Sequence, residues 1–215
     1  MKTILLKDAV ALIPDGATVM IGGFMGVGTP ERLVDELVRQ GKRNLTVIAN
    51  DNALPGIGIG KLVAAGAVRK TIASHIGLNP ETQKKMLAGE LEVDLVPQGT
   101  LIERIRAGGF GLGGVLTPTG VGTVVEKGKQ RIEVDGKPYL LETPLRADFA
   151  LVQSFLADYI GNLYYALTAR NFNPVIAMAA DTVIVEADNI VPVGVIAPDQ
   201  VVTPAPLVDY IVSHA

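Results

Sequence analysis

The stretch from Asp15 to Gln40, DGATVMIGGFMGVGTPERLVDELVRQ, constrains this chain more than any other. Thr18 to Ile21 is a β-branched and apolar run, the pattern of a parallel strand covered on both faces. Gly22, Gly23, Gly26 and Gly28 then interrupt it, and glycine serves where a backbone takes positive φ or lets another group come close. Thr29, Pro30 and Glu31 supply an N-cap, a proline at the first helical position and an acid in the first turn. Leu33, Val34, Leu37 and Val38 follow at helical spacing. The order strand, glycine loop, helix opens a parallel α/β unit, and the helix N-terminus facing the loop favours a phosphate or another anion. Glycines after a strand also serve simple chain reversal. Neither familiar nucleotide motif is present: GGFMGVG lacks the Lys-Ser/Thr ending of a P-loop, and no acidic residue on a second strand is placed to hold a ribose.

The alternation continues. Gly41 ends the helix and Leu45 to Ala49 is a second strand, so the first βαβ unit places Asn50-Asp51-Asn52 on the same carboxyl edge as the glycine loop. Those three side chains read either as turn formers or as polar groups presented to a ligand. Gly56 to Gly66 leads into a short helix and Val68 to Ala73 is a third strand. Asn79-Pro80-Glu81 opens a helix to Ala88, and Leu91 to Val96 is a fourth strand. His75, at a strand end, reads as a hydrogen-bonded structural residue rather than a general base. Pro97 to Thr100 begins a helix over Leu101 to Ala107 that turns Leu101, Ile102 and Ile105 inward and leaves Glu103, Arg104 and Arg106 wet. Gly108 to Gly114 is an ordered loop, and Arg131 to Leu141 is a β-hairpin around Asp135-Gly136. Phe149 to Phe155 and Thr182 to Ala187 are further strands, while Ala166 to Ala180 is ambiguous apart from the polar Arg170-Asn171-Phe172-Asn173-Pro174. The N-terminal MKTILLKDAVALIPDG reads as a helix ending at Pro14, not a signal peptide, because Lys7 and Asp8 break its apolar run.

At 215 residues and 48% hydrophobic, the expectation is a single domain over 1–215 with an open, largely parallel sheet, helices on both faces and a small antiparallel hairpin insertion. Net charge is −3 with no basic run, which argues against nucleic acid as a partner. No cysteine occurs, and His75 and His214 are the two histidines, so thiolate chemistry is excluded and a histidine metal cluster has too few ligands. No run approaches the roughly twenty apolar residues of a membrane span, and the cytoplasm is the expected compartment.

Asp15-Gly16, Val19-Met20-Ile21, Gly22-Gly23-Phe24, Gly28 and Pro30 together resemble the N-terminal signature of the family I CoA-transferase α subunit. The likeness extends through IANDNALPGIGIGKLV, GELEVDLVPQGTLIERIRAGG, TPTGVGTVVEKGK, ADFALVQSF and TARNFNP, which together reach across nearly the whole chain. The resemblance implies the open α/β fold shared with sugar-phosphate isomerases and a ping-pong transfer of CoA between a short-chain acyl-CoA or 3-oxoacyl-CoA and a carboxylic acid such as acetate. It implies CoA or acyl-CoA as substrate with no tightly bound cofactor and no metal. It also implies a homologous β subunit, in an α2β2 heterotetramer, that supplies the nucleophilic glutamate within a Ser-Glu-Asn-Gly motif. That motif is absent from this sequence, so this chain alone is expected to be inactive. By the same resemblance Gly22, Gly23, Phe24, Met25, Gly26, Val27 and Gly28 form the CoA-binding segment, Asn50 is the oxyanion donor and Gln98 joins the substrate pocket. The family has an Asn-Asn pair where this chain has Asn50-Asp51, which leaves Asp51 without an inherited role. The alternatives are transfer to another acid (succinate or 3-oxoadipate), a sugar-phosphate isomerase or ligand-sensing domain of the same fold, and a non-enzymatic assembly protein.

Overall fold

A computed structural model describes residues 2–213. In chain order the elements are β1 (Lys2–Leu5), α1 (Leu6–Ala11), β2 (Thr18–Ile21), α2 (Glu31–Arg39), β3 (Leu45–Asp51), α3 (Ile59–Ala64), β4 (Val68–His75), α4 (Pro80–Leu87) and β5 (Glu92–Leu95). They continue with α5 (Gln98–Gly109), β6 (Val115–Thr117), β7 (Arg131–Val134), β8 (Lys137–Glu142), β9 (Ala147–Asp158), β10 (Leu163–Tyr164), α6 (Asn173–Ile176), β11 (Ala180–Val191) and β12 (Tyr210–Ser213).

The main sheet runs β1-β12-β11-β9-β2-β3-β4-β5, with β10 paired to β9. Every pair along that path is parallel, and the β9–β10 pair is antiparallel. Strand order reverses at β2, which lies between β3 and β9, and a crevice forms at the carboxyl ends of strands at such a point. The glycine loop leaves the sheet there. Both faces of the strands are covered, which accounts for the unbroken apolar runs. Val19 and Ile21 join Leu33, Leu37, Leu62 and Ile184 on one side, and Met20 joins Ile48, Leu101, Ile105 and Ile176 on the other. A second sheet, β6-β8-β7, is antiparallel. Its β7–β8 hairpin turns at Asp135 (φ 50) and Gly136 (φ 73), two positive-φ residues of the kind a twisted two-residue hairpin requires.

Two local expectations are corrected. Residues 2–5 form a strand, not the first turn of a helix, because Thr3 and Ile4 register against Ile211 and Val212 at the sheet edge. Thr29 does not cap α2: Pro30 occupies the N-cap position without a side-chain bond, and the cap comes from β11. The buried Glu186 carboxylate accepts from Arg32 N at 3.2 Å and Leu33 N at 2.8 Å. The positive end of α2 is therefore already filled from within, which overturns the expectation of an open anion site at that helix end. Glu186→Ala is expected to leave those N–H groups unmatched and to cost about 1–2 kcal/mol. A thermal melt checks this, with a loss of roughly 2–8 °C expected for a chain of this size.

Candidate active site

The loop after β2 is a small hairpin. Phe24 N donates to Val27 O at 3.0 Å and Val27 N to Phe24 O at 2.9 Å, and Met25 (φ 52) and Gly26 (φ 90) make the turn. Two elements distant in sequence hold it. Both Asp51 carboxylate oxygens, at the end of β3, lie 3.2 Å from Met25 N. From the segment before α6, Asn171 Oδ1 accepts from Gly23 N at 3.1 Å while its Nδ2 donates to Val27 O at 2.9 Å. Asn173 Nδ2 donates to Gly28 O at 2.8 Å, and its Oδ1 accepts from Gln153 N of β9 at 3.0 Å. Asn171 and Asn173 escape a reading of motifs alone; their signal in the sequence is a polar RNFNP run set within apolar surroundings.

These contacts divide the glycines. A Cβ on Gly22 would lie 1.8 Å from Asn173 Oδ1, one on Gly23 2.0 Å from Thr29 Oγ1, and one on Gly28 2.6 Å from Ala169 O. The protein's own packing demands glycine at those three positions. Gly26 differs, because its Cβ would meet the exposed Ile57 Cγ2 at 2.5 Å, at the hairpin tip. Gly22→Ala is accordingly expected to lower stability by about 1–3 kcal/mol or prevent folding, as overpacking does. Gly26→Val, strained by its positive φ but free to displace the exposed Ile57, is expected to lower the melting temperature less than Gly22→Ala does. Thermal melts on both variants check the difference.

Beside the hairpin, at the carboxyl edge, lies a cavity of about 460 Å³ lined by Phe24, Asn50, Gln98, Ile102, Thr168 and Phe172, among others. Of the residues singled out in the sequence, Phe24, Asn50 and Gln98 meet on this lining; Met25, Gly26 and Val27 form the neighbouring tip, with Gly22, Gly23 and Gly28 at its base. Asn50 is 2% exposed. Its Oδ1 accepts from Gln98 Nε2 at 2.6 Å and lies 3.2 Å from Ser74 Oγ, which sits 2.7 Å from the Asn50 carbonyl. With the amide oxygen engaged, the amide nitrogen has only a long 3.4 Å contact to Asp51 Oδ1. The site thus presents a fixed, under-used N–H donor in largely apolar surroundings, where a bond to developing negative charge is strongest. Burial pushes the neighbouring Asp51 carboxyl above its ordinary range, and the Met25 and Ala53 N–H groups and the Asn50 amide oppose that shift.

A larger hollow, about 590 Å³, lies between β5, α5 and the antiparallel sheet. There Lys129 Nζ meets the buried Glu142 at 2.5 Å and Arg104 Nε lies 3.8 Å from it, an ion-pair network that is satisfied internally. It contains none of the predicted site residues, so size does not decide between the two. His75 is exposed at the end of β4 and does not line the Asn50 cavity. Among the described residues no three His, Cys, Asp or Glu side chains converge on a point, and no helix is long and apolar enough to cross a membrane. His214 lies outside the described residues.

Known proteins resemble this chain in sequence and in fold. The acetate CoA-transferase subunit alpha of Escherichia coli K12 is 59% identical over 98% of this chain and 96% of its own length. The acetoacetyl-CoA:acetate/butyrate CoA transferase alpha subunit of Clostridium acetobutylicum is 53% identical over 99% of this chain and 98% of its own. Among solved structures, an acyl-CoA transferase from E. coli O157:H7, in a thioester complex with CoA, superposes with a TM-score of 0.87 at 24% identity. That match covers 99% of this chain and 47% of the other, so this chain spans about half the length of that protein and the likeness speaks for the fold. The family model described as Coenzyme A transferase matches residues 3–214, and with the two α-subunit relatives it shows that the chain belongs to the coenzyme A transferase family.

Proposed function

We propose that this chain is the α subunit of a CoA-transferase that moves CoA between a short-chain acyl-CoA or 3-oxoacyl-CoA and a carboxylic acid of the acetate class. The observation that carries the reading is the buried Asn50, its oxygen held by Gln98 and Ser74 and its amide nitrogen left to donate beside the cavity. The names of the two α-subunit relatives, one for acetate and one for acetoacetyl-CoA with acetate or butyrate, support the substrate class.

In this reading a homologous β subunit brings the glutamate that the sequence here lacks, in an α2β2 assembly. Exposed apolar side chains around the cavity, Phe24, Met25, Val27 and the 93% exposed Leu167, support a partner covering this edge. The glutamate carboxylate attacks the acyl-CoA carbonyl, and CoA thiolate leaves as an acyl–glutamyl anhydride forms. The thiolate then attacks the glutamyl carbonyl, which releases the first acid and leaves an enzyme–CoA thioester. The incoming carboxylate reverses the two steps. Asn50 donates to the oxyanion formed at each carbonyl attack, and the hairpin from Gly22 to Gly28 shapes the approach of the thioester-bearing arm. Gln98 acts through Asn50, fixing its orientation. Acyl-CoA is a highly charged substrate, and the cytoplasm is the compartment the reading implies. Coexpression with the partner subunit, followed by an assay of CoA exchange between acetoacetyl-CoA and acetate, tests it.

A further inference from the structure

We propose that Asp51 is a positioning residue: its carboxylate fixes the Phe24–Val27 hairpin and the Asn50 amide relative to one another, and so sets the shape in which acyl-CoA is received. The inference rests on the functional reading above for what the hairpin contacts; the clamp itself rests on geometry. Asp51 is 3% exposed, and the groups bonded to it are all donors. Met25 N lies 3.2 Å from both oxygens, Ala53 N donates to Oδ2 at 2.9 Å, and Asn50 Nδ2 approaches Oδ1 at 3.4 Å. A carboxyl ringed by donors serves as an acceptor, which excludes it as a proton donor in this arrangement.

The hairpin needs such a clamp. Its side chains add little packing, since Phe24 is 43%, Met25 39% and Val27 51% exposed, and Met25 holds a positive φ that a non-glycine residue adopts only when its surroundings impose it. Asn171 holds the base of the hairpin at Gly23 N and Val27 O, and Asp51 holds its tip at Met25 N. Because Asp51 follows Asn50 directly, the residue that pins the hairpin tip also touches the amide nitrogen of the proposed oxyanion donor. An asparagine at 51 has one acceptor oxygen instead of two. With that oxygen in the place of Oδ2 it still reaches Met25 N and Ala53 N, but its NH2 group then faces Met25 N–H and Asn50 Nδ2, donor against donor, where the carboxylate has its second acceptor. The reverse setting turns the NH2 group on Ala53 N–H, so either way the hold on the hairpin tip is weakened.

Stability points the same way. Burial raises the Asp51 carboxyl, so this group favours folding at low pH and loses that contribution as pH rises through its folded value. At neutral pH the buried charge is held at a cost to folding, and a neutral amide in its place removes that cost.

The test uses the complex of this chain with its partner subunit, comparing wild type with Asp51→Asn and Asp51→Ala by amide hydrogen exchange, thermal melting and steady-state kinetics. For Asp51→Asn we expect exchange across residues 22–28 to accelerate about tenfold or more while the helices and sheet keep wild-type rates. The melting temperature should stay within about 3 °C of wild type or rise. The KM for acyl-CoA should rise about tenfold, with a smaller change in kcat, the signature of lost positioning. Asp51→Ala should match it in exchange and KM. Unchanged exchange at 22–28 in Asp51→Asn overturns the clamp. Faster exchange with a wild-type KM overturns its link to the site, and uniformly faster exchange with a large fall in melting temperature assigns Asp51 to the fold instead. A wild-type complex without CoA transfer sinks the functional reading, while the exchange rates still decide the clamp.

Discussion

Asn50→Ala is expected to lower kcat and kcat/KM together by roughly a hundred- to a thousandfold in the assembled enzyme, the effect of removing one oxyanion donor. The two constants fall together because the contact strengthens only as charge moves onto the carbonyl oxygen, so substrate binding is little affected. The setting favours a large effect. Asn50 is 2% exposed, and Gln98 and Ser74 fix its oxygen so that the nitrogen is already oriented before substrate arrives. Asn50→Asp should do no better, since it puts a negative charge beside a developing oxyanion and directs an unmatched acceptor at it. Alanine also removes the acceptor of Gln98 Nε2, while Ser74 Oγ keeps the residue-50 carbonyl, so a stability loss of about 1 kcal/mol is expected alongside the kinetic effect. A melt measured on the same complex separates the two. A kcat within about threefold of wild type in a correctly assembled complex would contradict the assignment, because a lost donor costs far more than that. Gln98→Ala should fall between these limits, since it acts by loosening Asn50.

What could be read in the chain beforehand was local. The strand, loop and helix from Thr18 to Val38 and the strands near Leu45, Val68 and Leu91 follow from spacing and turn residues within a few positions of one another, and all appear in the fold. The Asp135-Gly136 turn follows from the two positive-φ residues its hairpin needs. The features that escaped are those decided by residues far away. Residues 2–5 become a strand because Tyr210 to Ser213 offers an edge, which no window around the N-terminus reveals. Thr29 looks like a helix cap by its type and place, yet a carboxylate 154 positions away from Arg32 does the work. Strand β3 runs on to Asp51, two residues beyond the apolar run, because pairing with His75 of β4 extends it. At the candidate site, the βαβ order puts Asn50 on the edge of the glycine loop, while Gln98 is singled out only by the family resemblance; in the structure Phe24, Asn50 and Gln98 line one cavity because each follows or ends a strand of the same parallel sheet. Asn171 and Asn173 are not foreseen: they reach the glycine loop only because β9 is the neighbour of β2, a pairing across about 130 residues of sequence.

The central claim is that this chain carries half of a catalytic site and that a homologous subunit carries the other half. Purify the chain by itself, its β-type partner by itself and the coexpressed complex, and assay each for CoA exchange between acetoacetyl-CoA and acetate. The account predicts no exchange from this chain, since the sequence contains no Ser-Glu-Asn-Gly nucleophile motif, and turnover from the complex in the ordinary enzymatic range of about 1–1,000 per second. Treating the complex with acyl-CoA and then borohydride should modify a glutamate of the partner and none of the ten in this chain. Exchange catalysed by the isolated chain at a rate comparable to the complex would contradict the account, as would a well-formed complex that transfers CoA to none of acetate, butyrate, succinate or 3-oxoadipate.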